Sequence, residues 1–172
     1  MRPRLVQPEK RRLIRIGANG AVLAALAAAV ATGCGGGGST SKHDFADKAD
    51  QICADVSKRV AQLNAASPRS VAELTNFIEK LKKTEKDGIV RLQALDLPKG
   101  QAGVTAKQFT DTVEREYNEQ VLPALNQVER AVQRKDRKAL KAASKRLQKA
   151  QKEKKSTLLA AQLGASHCAA AA

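Results

Sequence analysis

The chain has 172 residues, a formal net charge of +14 and 2% aromatic residues. That length holds one core, and it is about half of what the two α/β lobes of a transporter's solute-binding protein need. The aromatics are Phe45, Phe77, Phe109 and Tyr117, with no Trp. They leave almost nothing from which to build the stacking platforms of glycan or single-strand nucleic-acid sites.

The first 33 residues read as an export leader. Residues 2–16 carry six Arg/Lys against one Glu, and residues 17–33 carry no charge. Ala31-Thr32-Gly33 then supplies small residues before Cys34. A basic region, an apolar region and a small-residue cleavage point make a signal peptide. With Cys34 directly after it, the segment resembles a bacterial lipobox, although Ala31 stands where that motif usually has Leu. The resemblance implies cleavage after Gly33 and a diacylglyceryl thioether on Cys34, which anchors firmly because two chains hold where one barely does. An uncleaved transmembrane anchor is the weaker reading. The apolar run is 17 residues, largely Ala, and a spanning helix wants about 20. Lys10-Arg11-Arg12-Leu13-Ile14-Arg15 also faintly resembles a twin-arginine export motif, so the export route stays open. Residues 34–42 form the lipidated end and a Gly/Ser tether that sets the domain roughly 15–20 Å from the lipid.

After Lys42 the composition turns helical, rich in Ala, Leu, Lys, Gln and Glu. Helix 1 is expected from about His43 to Ala65, with Phe45, Ala49, Ile52, Val56, Val60 and Leu63 on one face. Asp44 and Asp47 suit its first turns. Helix 2 opens at Ser67-Pro68 or at Ser70, where Ser70-Val71-Ala72-Glu73 has capping-box form, and it ends near Leu95. Its buried side is expected to carry Val71, Leu74, Phe77, Ile78, Leu81, Ile89 and Leu92, with Lys86-Asp87-Gly88 weakening it midway. Helix 3 is expected from about Thr105, capped with Gln108, and Phe109, Val113, Tyr117, Val121, Leu125, Val128 and Val132 form its stripe. Pro123 should kink it without breaking it. Helix 4 is expected from Asp136 to about Leu163 with Leu140, Ala143, Leu147, Ala150, Leu158 and Ala161 inside and Gly164 as C-cap. Lys154 falls on that apolar stripe, where snorkelling is the simplest explanation. Residues 169–172 should fray. The expected fold class is all-α, an antiparallel up-down-up-down four-helix bundle spanning 43–168.

Charge is concentrated late in the chain. Beyond residue 33 there are 25 Lys/Arg and 16 Asp/Glu, a balance of +9. From Cys34 to Val128 the counts are 13 and 13, and from Glu129 to Lys155 they are 12 and 3. Arg134, Lys138, Lys141, Lys145, Lys149 and Lys152 line up opposite the apolar stripe. This is either a solvated face or a contact for anionic lipid headgroups or wall polymer. Acids of helix 3, namely Asp111, Glu114 and Glu119, could pair with part of it. Nucleic acid is the obvious partner of such a helix in a cytosolic protein, but an export leader argues against it.

Cys53 and Cys168 are the two other cysteines. In an exported chain a disulfide is the expectation, and the bundle topology brings the start of helix 1 beside the end of helix 4. The competing reading is a metal site of Cys53, Cys168, His167 and His43, whose spacing matches no CxxC or HxxxH pattern. The order of parts resembles small helical lipoproteins of actinobacterial envelopes. These parts are the lipobox and tether, Ala46-Asp47-Lys48-Ala49-Asp50-Gln51-Ile52-Cys53, and Leu163-Gly164-Ala165-Ser166-His167-Cys168. The resemblance implies a disulfide-closed helical domain and contributes no catalytic residue, cofactor or metal.

No enzyme is expected. His43 and His167 sit in no usable motif, and there is no GxSxG or phosphate-cradling loop. Glu73, Glu79, Glu114 and Glu116 could form acid/base pairs only if the fold brought them together. Two classes remain. One is a binding module for an envelope partner, and the other is an accessory lipoprotein acting only through protein contacts.

Overall fold

The computed structural model describes residues 40–152 and 154–170. The expected leader, Cys34 as the expected lipidation site and most of the expected tether lie outside them, as do Ala171 and Ala172. The described residues are all helical, without a strand, and a Cys53–Cys168 disulfide closes them.

Helix α1 spans Lys42–Ala65. Ser41 caps it. Its Oγ accepts from the Asp44 N–H at 3.0 Å, and the Asp44 carboxylate accepts the Ser41 N–H at 3.2 Å. The acid expected to serve the helix dipole therefore completes a capping box. Phe45, Ala46, Ala49 and Ile52 are buried. Helix α2 spans Val71–Gln93 with Ser70 as N-cap. Ser70 Oγ accepts from the Glu73 N–H at 3.1 Å, but the Glu73 carboxylate turns to the Arg69 N–H at 2.6 Å. The box is thus shifted by one residue. Val71, expected inside, is 45% exposed at the first position of α2. The helix runs unbroken through Gly88, which is buried against Val56. A Cβ there would sit 2.6 Å from Val56 Cγ2, so the residue that lowers helix propensity lets α1 and α2 approach.

Helix α3 spans Gly100–Glu116, starting five residues before the expected Thr105, with Lys99 at the N-cap and no side-chain cap. Thr105 lies inside it and donates to the Gln101 carbonyl at 3.2 Å. Packing decides the start. Gly103 is buried so tightly on the preceding turn that a Cβ would lie 2.0 Å from the Pro98 carbonyl oxygen. Ala106 and Phe109 then enter the core. Tertiary contact here overrides the low helix propensity of a Gly-containing first turn.

Pro123 does not end the helix. Residues Tyr117–Val121 form a π-helical turn, in which the Leu122 N–H bonds the Tyr117 carbonyl, and α4 follows over Leu122–Gln133. A proline clashes with the carbonyl four residues before it and lacks its own donor. A wider turn placed just ahead of it accommodates both, as π-bulges do. Ala124, Leu125, Ala131 and Val132 are buried beyond it.

The αα-turn that follows has Lys135 at φ 54°, with the Asp136 N–H bonded to the Ala131 carbonyl at 2.9 Å. Asp136 then accepts the Ala139 N–H at 2.9 Å and opens α5, Arg137–Lys152. The expected single helix to Leu163 does not form. The chain breaks after Lys152 and resumes as α6, Ser156–Leu163, and α7, Ser166–Ala170. The break resets the helical phase. Leu158 is 69% exposed and Ala161 is exposed, while Ala160 and Leu163 are buried in their place. Gly164 at φ 90° ends α6 as expected.

Helix α1 packs on α2, α4 on α2 and α5, α3 on α6, and α7 on α1. The main core joins Phe45, Ala49, Ile52, Leu92, Phe109, Ala160, Leu163 and Cys168.

Candidate binding surfaces

The six cations read as a basic stripe lie along one stretch of chain. Arg134 ends α4, Lys138, Lys141, Lys145, Lys149 and Lys152 lie on α5, and all six are exposed. Ala143 and Ala150 face inward with Leu140 and Leu147 half-buried beside them. Helix α5 contains no acidic residue. Its C-terminal lysines favour the helix dipole, its first-turn Arg137 and Lys138 oppose it, and the Asp136 cap offsets that opposition. Two of the helix 3 acids expected beside the stripe have other partners. Asp111 pairs with Lys107 at 2.8 Å, and Glu114 accepts from Gln93 at 2.7 Å.

A second constellation, not foreseen as such, is built from two carboxylates that cap helices from elsewhere in the chain. Asp50, on α1, accepts the backbone N–H groups of Ser166, His167 and Cys168 at 2.8, 2.8 and 3.1 Å, and the Ser166 hydroxyl at 3.0 Å. One turn further along α1, Cys53 bonds Cys168 at an S–S distance of 2.08 Å with Cα atoms 5.2 Å apart. The two cysteine segments of the sequence are therefore joined twice, covalently and by a helix cap. The sulfurs are not free to ligate metal. His43 pairs with Asp47 at 2.9 Å, and no three metal-ligating side chains converge among the described residues.

Glu116 is the second cap. It is 7% exposed, and its carboxylate accepts the Lys155 N–H at 2.6 Å, the Ser156 N–H at 3.2 Å and the Ser156 hydroxyl at 2.6 Å. It fixes where α6 begins and accounts for the break in the expected fourth helix. The other glutamates considered as acid/base pairs are also occupied structurally. Glu73 accepts the Arg69 N–H ahead of α2, Glu79 pairs with Lys82 at 3.2 Å, and Glu114 accepts from Gln93.

A cleft of about 340 Å³ opens between α1, α2, α3 and the α5–α6 break. Ile52, Val56, Val60, Ile89 and Val113 line it, together with the disulfide cysteines and the polar side chains of Ser57, Asn64, Gln151 and Thr157. Two charge-bearing side chains stand in it, Glu85 and Lys154. Burial pushes the Glu85 carboxyl above its usual range, and the Lys154 charge opposes that shift. Lys154 thus has a place. It stands on the non-helical segment between α5 and α6, off any helical stripe, and it lines the cleft. Glu85 carried no sequence signal, because it lies on α2 three residues before Gly88 and looks like any surface glutamate.

No helix among the described residues is long and apolar enough to cross a membrane. No protein-family description, no curated protein and no solved structure matches this chain.

Proposed function

We propose that this chain is a bacterial envelope lipoprotein, anchored on the extracytoplasmic face of the cell membrane through Cys34 after loss of residues 1–33. Its domain is a non-catalytic antiparallel four-helix bundle, in which α3, the π turn and α4 act as one arm and α5, α6 and α7 as another. It works as a binding or accessory module that lays the basic face of α5 on anionic lipid headgroups or wall polymer. The observation that carries this reading is the row of exposed lysines, Lys138, Lys141, Lys145, Lys149 and Lys152, along the acid-free α5, with exposed Arg134 just ahead of it. An anionic surface meets such a face without reorganising the core, and the contact acts through charge alone.

The test is co-sedimentation with phosphatidylglycerol vesicles and with purified wall polymer. Wild type should bind at 0.1 M salt and release at 1 M, as the screening length falls from about 10 Å to about 3 Å. Replacing Lys138, Lys141, Lys145 and Lys149 with Gln should weaken binding while leaving the unfolding free energy within about 0.5 kcal/mol of wild type, as for exposed sites generally. Binding unchanged in that variant overturns the role of the stripe. Salt-insensitive co-purification with a membrane complex, together with absent vesicle binding, would instead mark an accessory subunit acting through protein contacts.

A further inference from the structure

We propose that the lysine row of α5 is a track for one strand of a linear polyol phosphate, a chain of phosphodiesters without bases, laid lengthwise along the helix. This rests on the reading that the face meets an anionic partner, and it names which anionic partner the face is shaped for.

The first observation is the shape of the row. Lys138, Lys141, Lys145, Lys149 and Lys152 are exposed on one unbroken helix. At 3.6 residues per turn they fall within an arc of about 80°, and at 1.5 Å per residue they extend over about 21 Å. The charge is therefore a line, long and narrow. A membrane surface is a plane, and a helix that lies in it sinks an apolar or aromatic face into the acyl boundary. The apolar side of α5 is turned inward instead, with Ala143 and Ala150 buried and Leu140 and Leu147 half-buried. No aromatic residue lies on α5.

The second observation is that the row is uncompensated. Elsewhere the chain sets acids one turn away from its cations. Arg59 pairs with Asp55, Lys82 with Glu79 and Lys107 with Asp111, each at a spacing of three or four residues. On α5 the residues at that spacing are again lysines, Lys138 with Lys141 and Lys141 with Lys145. Among the described residues these three have no carboxylate at ion-pair distance. Like charges one turn apart repel. A strand of phosphates along the row relieves that repulsion and releases its own counterions in doing so.

The third observation is the kind of cation. An ammonium is a point charge with three rotatable donors, which meets a tetrahedral phosphate from any direction, whereas the fork of arginine suits a planar carboxylate. The row is all lysine. Arg146, at its flank, donates to Gln127 at 2.8 Å. A repeat of six backbone bonds extends about 7 Å, twice the reach of a three-bond amino-acid residue, so about four phosphates span the row. Its place in the fold agrees. Lys82 meets Glu129 at 2.6 Å and Gln93 meets Glu114 at 2.7 Å, so α4 runs against α2. Arg59 meets Asp87 at 2.9 Å, and α1 likewise runs against α2. The α4–α5 turn therefore lies level with the first turns of α2, at the end remote from Lys42. On a domain anchored through Cys34 the row begins at the end farther from the lipid.

The experiment uses the chain as its own cell makes it, in non-ionic detergent with the disulfide intact, titrated by calorimetry with glycerol phosphate oligomers of one to eight units. The single unit should not bind measurably. Affinity should rise with each unit to about four and change little beyond. Lys141→Gln with Lys145→Gln should weaken the longest oligomer about thirtyfold, about fivefold for each lysine. Adding Gln62→Lys and Gln101→Lys, at exposed positions of α1 and α3, restores the net charge away from the row and should not restore binding. Single-stranded DNA with the same number of phosphates should bind within about threefold of the oligomer, because α5 offers its bases nothing to stack on. Phosphatidylglycerol vesicles bound through the two lysines, with no oligomer bound, would keep α5 as an anion-binding face and overturn the strand. Neither partner bound would overturn both readings. Affinity independent of length, recovery in the charge-restored variant, or DNA bound far more tightly than the oligomer each overturns the proposal.

Discussion

The two ends of this molecule are secured in opposite ways. At the α1–α7 end, large side chains fill the core. Phe45 and Phe109 are 0% and 2% exposed, and Ile52 and Leu163 complete their contacts. A disulfide and the Asp50 cap fasten the last helix on top. The α4–α5 hairpin buries Leu125 and Val132 but no aromatic side chain, the rest of its buried positions are the alanines 124, 131, 143 and 150, and the outer face of α5 is cationic. Burying an alanine contributes far less than burying a phenylalanine. The hairpin is therefore the less stable end and the one with surface to spare. Stability is unevenly spread in such folds, and binding elements come from the weaker part. The pattern teaches that the chain concentrates its stability at the α1–α7 end, which leaves α5 to carry charge.

The comparison breaks hardest if the disulfide is removed. Replacing Cys53 and Cys168 with Ala opens a loop closed across a sequence separation of 115, which the chain-entropy view sets at about 4–5 kcal/mol. Urea unfolding should show a loss of that size, and reduction of the wild type should reproduce it. Hydrogen exchange should then find α7 opening before α5, the reverse of wild type. An unchanged urea midpoint would mean that packing and the Asp50 cap alone hold the α1–α7 end.

The Glu116 cap sharpens the comparison with a smaller effect. Glu116→Ala leaves the buried Ser156 hydroxyl and two backbone donors without their acceptor. Unmet buried groups cost about 1–3 kcal/mol each, and part of that is recovered as water enters. A net loss of about 2–3 kcal/mol in urea midpoint analysis is expected. Amide exchange should accelerate across 154–163 and stay as in wild type across α1. Glu116→Gln keeps one acceptor oxygen and should lose about half as much. Uniform acceleration across all helices would show that the two ends unfold as one unit.

Much of this arrangement was legible in residue spacing, and the parts that were not have a common cause. The periodic stripe of α1 and the S-x-x-E start of α2 depend on residues within one or two turns, and both were read from sequence. The pairing of Cys53 with Cys168 follows from there being two cysteines beyond the expected leader and lipidation site. The break before α6 depends on Glu116, about forty positions upstream, reaching two backbone N–H groups. The early start of α3 depends on Gly103 fitting beneath the Pro98 carbonyl. Local propensity carries no trace of either contact, so one continuous fourth helix and a Thr105 start were the natural expectations. Asp50 is instructive in the same way. Its place three residues before Cys53 is visible in the sequence, but its role as a cap needs the last helix to be laid beside it. The exposure of the α5 cations was legible because it required only the phase of one helix. The cleft was not, because it is the space left between four segments.

The smallest effect concerns Glu85, and its sign is opposite to that of the other acids. Burial raises its carboxyl above the ordinary value of 4.5, and Lys154 from the α5–α6 break opposes the rise. The hydroxyl of Tyr117, from the π turn, feels the same carboxylate. The folded state therefore holds this proton at a pH where the unfolded chain has released it. Stability from this group is complete below about pH 4.5 and declines as pH rises through the folded value. Asp55 behaves in the reverse sense. The Arg91 hydrogen bond holds its carboxyl below 3.8, and its contribution is lost only as pH falls. Whole-protein pH profiles mix the two, so the informative quantity is the difference between Glu85→Gln and wild type. The substituted amide carries no charge at any pH. The variant should match wild type near pH 4, become more stable than it as pH rises through the folded value of Glu85, and keep a constant advantage above that, by less than the Glu116 variant loses. Urea midpoints at half-unit steps of pH check this. A difference that stays flat across the range would mean that Glu85 is solvated as freely as in the unfolded chain, and an increasing advantage for wild type would mean that Lys154 outweighs burial.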